Sequence, residues 1–60
     1  MKNLTPKQAG NIIDNYVNGN ITDAKNLIKK LTIKQRKQLY NFAYGLDMNE
    51  TVIQFFFNQI

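Results

Sequence analysis

One helix-start pattern occurs twice in this chain, as LTPKQ at residues 4–8 and as LTIKQ at residues 31–35. In each copy a Thr can accept a hydrogen bond from the backbone N–H three residues later. A Gln at that later position can reach back to the backbone of the Thr, which completes a capping box. The first copy also has Pro at the first helical position, where a missing N–H does no harm. Two helix starts, at Thr5 and Thr32, therefore divide the chain into two halves.

Each half contains a second candidate helix start. Asn20, with Thr22 as the alternative, can cap a helix that has Asp23 in its first turn. Asp47 can cap a further helix, with Glu50 at its third position reaching back to the cap. Apolar residues recur at helical spacing after every one of these starts. The sequence therefore predicts four helices, near residues 6–18, 21–31, 33–44 and 48–60.

The ends of the first and third helices are marked by glycine. Gly19 and Gly45 follow the last residues of their apolar stripes, where a left-handed C′ residue commonly ends a helix. We expect both to adopt that conformation. The fold class predicted is all-α, a single small domain over residues 1–60, built as two αα-hairpins. The matching starts favour a degenerate duplication, although capping boxes also arise independently.

The composition removes most enzyme chemistry and most metal chemistry. The chain has no Cys, no His and no Ser, so the usual nucleophiles and the usual general base are missing. Thiolate and imidazole metal sites are excluded for the same reason. Three of its four acids, Asp23, Asp47 and Glu50, are explained as caps or first-turn residues, and Asp14 falls on a solvated face. We therefore expect no catalytic residue, no metal and no cofactor.

Positive charge is concentrated in one stretch. Six of the eight cations lie between positions 25 and 37, with no acid among them. They are Lys25, Lys29, Lys30, Lys34, Arg36 and Lys37. Those at the end of the second helix complement its dipole, but the last three stand at the positive end of the third helix, where cations are disfavoured. We expect this basic corner to bind an anionic partner and not to serve the fold. The alternatives are a solvated lysine surface or an acid that folds over to pair.

The last predicted helix is more apolar than one surface stripe requires. Its apolar side chains span an arc of roughly 200°, whereas a surface helix usually shows a stripe somewhat over 100°. The expected interface residues are Val52, Phe55, Phe56, Phe57 and Ile60. A chain of this length has a small core and no disulfide or metal to support it, so self-association through this helix is also expected. The alternative is an internal helix that the other three surround.

These features predict a small non-enzymatic binding protein, a regulator or inhibitor that acts by protein–protein interaction on a partner with an acidic surface. The start, MKNLTPKQ, has no apolar run, and Cys is absent, so a cytoplasmic protein without a membrane segment is expected. Abundant Asn, Lys and Ile are typical of AT-rich genomes, such as those of low-GC bacteria and their phages.

The alternative function is nucleic-acid binding by the basic corner. It is favoured by the net charge of +4 and the sequence pI of about 9.6. A helix-turn-helix reading fits poorly, because the last helix, which would enter the groove, has no cation.

Overall fold

The computed structural model describes residues 3–46 and 48–60, and within them it contains four helices and no β-strand. The helices are α1 (Pro6–Val17), α2 (Ile21–Lys29), α3 (Ile33–Gly45) and α4 (Glu50–Phe57). Helix α1 packs against α2, α3 packs against α4, and α1 also contacts α3. The predicted all-α four-helix fold is confirmed, and the main helix contacts support its pairing into two αα-hairpins.

Both predicted capping boxes are formed. The Thr5 hydroxyl accepts from the Gln8 backbone N–H at 3.1 Å, and the Gln8 side-chain oxygen accepts from the Thr5 backbone N–H at 3.0 Å. The corresponding distances for Thr32 and Gln35 are 3.1 and 2.9 Å. Each box satisfies two backbone donors that a helix N-terminus otherwise leaves without a partner.

The other two starts differ from the prediction. Asn20 is the N-cap of α2, but its side chain makes no capping hydrogen bond. Helix α4 begins at Glu50, two residues later than predicted, and its N-cap is Asn49, whose side-chain oxygen accepts from the Val52 backbone N–H at 3.0 Å. Glu50 is thus the first residue of the helix and not its third. Asp47, the expected cap, lies outside the described residues.

Only one of the two expected glycine stops is left-handed. Gly19 has a φ of +88°, its N–H donates to the Tyr16 carbonyl at 3.1 Å, and the Asn20 N–H donates to the Asn15 carbonyl at 2.8 Å, which together form a Schellman motif. Gly45 was wrongly predicted, because it is the last residue of α3 and is followed by Leu46 at a φ of −84°.

The core draws on all four helices. Its members are Ala9, Ile12, Ile13, Ala24, Ile28, Leu39, Ala43, Val52 and Phe56. Three of these are alanines with no exposed surface, which lets the backbones of α1, α2 and α3 come close. Phe56 is only 1% exposed and is among the largest fully buried side chains.

The three consecutive phenylalanines of α4 point to three different surroundings. Phe55 stacks on Tyr16 of α1 with ring centroids 4.1 Å apart, and Phe57 meets Tyr40 of α3 edge-on at 5.6 Å. Phe56 lies between them in the core. Val52 and Phe56 were expected at an interface, and this expectation is wrong, because the domain buries both in its own core.

Removing a capping side chain should destabilise the protein only where the cap is formed. We expect Thr5→Ala, Thr32→Ala and Asn49→Ala each to lower the free energy of unfolding by about 1 kcal/mol. Asn20→Ala is the matched control and should have a clearly smaller effect, because its side chain makes no capping bond. Urea unfolding of the four variants measures this, and a loss at Asn20 equal to the others would contradict it.

Replacement by alanine should have opposite effects on stability at Gly19 and at Gly10. Gly19→Ala should cost about 1 kcal/mol, because its positive φ brings a Cβ close to the following carbonyl. Gly10 lies within α1 and nothing stands within 4 Å of a Cβ built on it, so Gly10→Ala should stabilise by roughly 0.5–1 kcal/mol. Gly45→Ala should be neutral or slightly stabilising. Thermal melts compare the three, and a large loss at Gly45 would restore the left-handed assignment.

Candidate interaction surface on the third helix

Arg36 joins three parts of the fold. Its Nε donates to the Ile28 carbonyl at 3.2 Å and its Nη2 to the Lys29 carbonyl at 3.4 Å, both at the end of α2. Its Nη1 donates to the Gln59 carbonyl at 3.4 Å, just after α4. The last carbonyls of a helix have no intrahelical partner, so the guanidinium supplies donors where they are needed.

This arrangement corrects one expectation about the basic corner. Arg36 is half-buried and serves the fold, contrary to the expectation that the three cations of α3 do not. It also sits at the negative end of the α2 dipole, which favours a cation there.

Lys34 and Lys37 have a different environment. Both are exposed, and neither forms an ion pair with any residue in the described part of the chain. Lys34 is two positions before Arg36, about 200° away around an α-helix, so it projects away from α2. Lys37 lies one turn after Lys34 on the outer side of α3.

The rest of the basic corner belongs to α2 and its C-cap. Lys25 and Lys29 are exposed and one turn apart on α2, and Lys30 is its C-cap residue. The bond between Arg36 and the Lys29 carbonyl holds the end of α2 against α3. The structure therefore divides the six predicted cations into three groups: lysines on α2, an inward-facing Arg36, and two outward-facing lysines on α3.

Large apolar side chains accompany the lysines of α3. Ile33 is 52% exposed and Tyr44 67% exposed. Together with Lys37 and Tyr40 they lie at helical spacing i, i+4, i+7 and i+11, which puts all four along one side of α3. The Tyr40 and Tyr44 ring centroids are 6.2 Å apart. Phe57, which is 55% exposed, extends the row from α4 by its contact with Tyr40.

This surface is called the α3 outer face. Its residues are Ile33, Lys34, Lys37, Tyr40, Tyr44 and Phe57. Of the interface residues expected from sequence, Phe57 belongs to it, Ile60 is exposed at 39%, and Phe55 is half-buried against Tyr16. Ile33 and Tyr44 were not among the interface residues expected from sequence. The available signal was their spacing with Lys37 and Tyr40, on a different side of the helix from the buried Leu39 and Ala43.

The surface has two depressions that are candidates for small-molecule sites. A groove of about 180 Å³ between α1 and α2 is lined by Gln8, Asn11, Ile12, Leu27, Lys30 and Leu31. An open depression of about 330 Å³ is lined by Asn41, Phe42, Gly45 and Leu46. Ligand pockets usually hold roughly 300–1,000 Å³ and enclose most of the ligand. The first is too small and the second too open, and neither brings an acid and a base together.

Comparison with protein-family models, curated proteins and solved structures gives no match. Over the described residues, none of the helices combines the length and apolar character that crossing a membrane requires. The α3 outer face combines exposed apolar side chains with lysines that pair with no described acid, and it is the candidate functional surface of this chain.

Substitution of Arg36 should lower the stability of the protein, whereas substitution of Lys34 or Lys37 should not. Arg36→Met keeps an apolar stem but removes three hydrogen bonds to carbonyls, so it should cost about 1–2 kcal/mol. Lys34→Gln and Lys37→Gln should leave stability unchanged or raise it by some tenths of a kcal/mol, because they relieve a conflict with the helix dipole. Thermal melts at low salt measure all three. A large loss in either lysine variant would show that its side chain is paired within the fold.

Proposed function

We propose that this protein is a non-enzymatic binding protein that acts by protein–protein interaction through the α3 outer face. The observation that carries the proposal is the row of half-exposed apolar rings and Ile33, interrupted by Lys37. Apolar side chains that remain exposed next to one another commonly mark interaction sites, and aromatic residues are enriched at them.

Two exposed lysines that pair with no described acid favour a binding partner with an acidic surface. Lys34 and Lys37 are exposed at the positive end of α3, and no described acid pairs with either. Carboxylates on a partner would satisfy both cations and complement the dipole. We place the protein in the cytoplasm, as a small regulator or inhibitor of bacterial or phage origin that covers a partner's surface and performs no reaction on it.

The choice of protein over nucleic acid rests on Arg36 and on the apolar row. Arginine is the usual residue for bidentate contact with phosphates and guanine, and the one Arg of this chain donates to backbone carbonyls instead. Ile33 offers nothing that a phosphate or a base edge would need. The exposed Tyr44 could stack on a base, so nucleic acid remains the competing function that an experiment must separate.

The proposal can be tested by affinity capture from a bacterial host lysate, with and without nuclease. The tagged wild-type protein is compared with a variant that combines Lys37→Gln and Tyr44→Ser. Val17→Ser is the matched control, because Val17 is also a large exposed apolar residue, at 57%, but lies on a different helix. All three proteins should melt at similar temperatures, since none of the changed side chains is buried.

We expect a protein partner that survives nuclease treatment, that is retained by Val17→Ser and that is lost by the double variant. Capture that disappears with nuclease would favour the nucleic-acid function. A partner that the double variant retains would show that another surface binds it.

A further inference from the structure

The geometry points to an acidic amphipathic helix of another protein, about three turns long, as the occupant of the α3 outer face. This inference rests on the proposed function and specifies its partner. It follows from the shape of the surface, from its charge and from what a second copy of this chain would bring to it.

The shape of the surface fits a helix. From Ile33 to Tyr44 the exposed row extends along α3 for about 16 Å at 1.5 Å per residue, so about three turns of a partner helix would lie beside it. Rows of side chains at i, i+4 spacing form ridges that pack into the grooves of another helix. The described residues contain no strand, so they offer no sheet edge on which an extended segment could pair.

None of the described acids pairs with the lysines of this surface, so a partner would supply the carboxylates. Lys37 stands in the middle of the apolar row and Lys34 is one turn away from it, both on the outer side of α3. Two of the described acids, Asp14 and Asp23, belong to the α1–α2 hairpin, and the third, Glu50, starts α4. A partner helix with carboxylates three or four residues apart would present them to both lysines, while its apolar side chains cover Tyr40, Tyr44 and Phe57.

A second copy of this chain could cover the apolar side chains of the α3 outer face, but it would not supply carboxylates for the two lysines. In a two-fold interface the same patch faces itself, so the lysines of one protomer would approach those of the other. Each copy carries a net charge of +4, which adds a general repulsion. An acidic helix satisfies both requirements, and for that reason it is the occupant the structure favours.

The size of the surface predicts a modest affinity. A stable interface of standard size buries roughly 800 Å² on each partner, which is about a fifth of the 4258 Å² accessible surface here. One row of side chains on α3 with Phe57 provides less than that. We therefore expect a transient complex whose affinity falls with added salt, since both of its lysines are exposed to solvent.

A designed peptide tests this inference directly. The probe is a stapled helical peptide of about four turns, roughly 14 residues, fluorescently labelled, with leucines on one face and glutamates flanking them. One control peptide has every Glu replaced by Gln. A second control has the same composition in an order that removes the apolar face. A single-stranded DNA oligonucleotide is the third ligand. Binding of each ligand is followed by fluorescence anisotropy at about 50 and 200 mM salt.

We expect the acidic amphipathic peptide to bind at least several-fold tighter than either control peptide at the lower salt, with the difference shrinking at the higher salt. Lys37→Gln and Tyr44→Ser should each weaken its binding, whereas Val17→Ser should not. The oligonucleotide should bind more weakly than the peptide, and Tyr44→Ser should leave its binding unchanged.

Four outcomes would overturn the inference. If the Gln peptide binds equally well, carboxylates are not needed for binding. If the reordered peptide binds equally well, an apolar helix face is not needed. Tighter oligonucleotide binding that depends on Tyr44 assigns the surface to nucleic acid. Concentration-dependent sedimentation that Tyr44→Ser abolishes assigns it to a second copy. If a nuclease-resistant partner is still captured through Tyr44 while the peptides show no preference, only the helix inference fails and the proposed function stands.

Discussion

The burial of Phe56 is the interaction on which the rest of this small fold depends. Helix α4 has eight residues, and an isolated helix of that length is unstable in water. Fully burying a Phe side chain contributes roughly 1.5–3 kcal/mol, against a total stability on the order of 0.05–0.15 kcal/mol per residue. Phe56 therefore accounts for a substantial fraction of the net stability. The stack of Phe55 on Tyr16 and the edge contact of Phe57 with Tyr40 hold it from both sides.

The same packing determines what remains exposed. Successive residues of a helix lie about 100° apart, so once Phe56 is in the core and Phe55 lies on α1, Phe57 is directed along the flank of α3. Helix α4 partly covers Tyr40 there, whereas Ile33 and Tyr44, in the same row, remain more than half exposed. Helix α3 is consequently apolar on two sides, one turned to the core and one turned outward. The α3 outer face is thus a product of how α4 packs.

Local patterns could be predicted from sequence, and features that depend on packing could not. The caps at Thr5 and Thr32 and the turn at Gly19 were identified correctly because each is decided within a few residues. The start of α4 was placed two residues early, since Asp47 and Asn49 are both acceptable caps by local rules. Gly45 was misassigned for a related reason, because Leu46 can end α3 with a negative φ.

The candidate site was predicted in part. Clustering of cations along the chain identified Lys34 and Lys37, but it could not separate them from Arg36, whose partner carbonyls belong to Ile28, Lys29 and Gln59. The sequence does contain one signal for the role of Arg36. The last carbonyls of α2 lack intrahelical donors, and Arg36 lies one turn into the next helix. The spacing of Tyr44 with Lys37 and Tyr40 predicts that they share one side of α3, but the exposure of Tyr44 follows from how α4 packs.

Arg36 and its neighbouring lysines occupy opposite electrostatic positions, although they belong to one basic stretch. Arg36 faces the negative end of α2, where its charge is favourable, and five donors in a fixed fork suit several carbonyls at once. Lys34 and Lys37 face the positive end of their own helix, at a cost of some tenths of a kcal/mol each. In the proposed complex, a carboxylate from the partner would pair with each lysine and offset this dipole conflict.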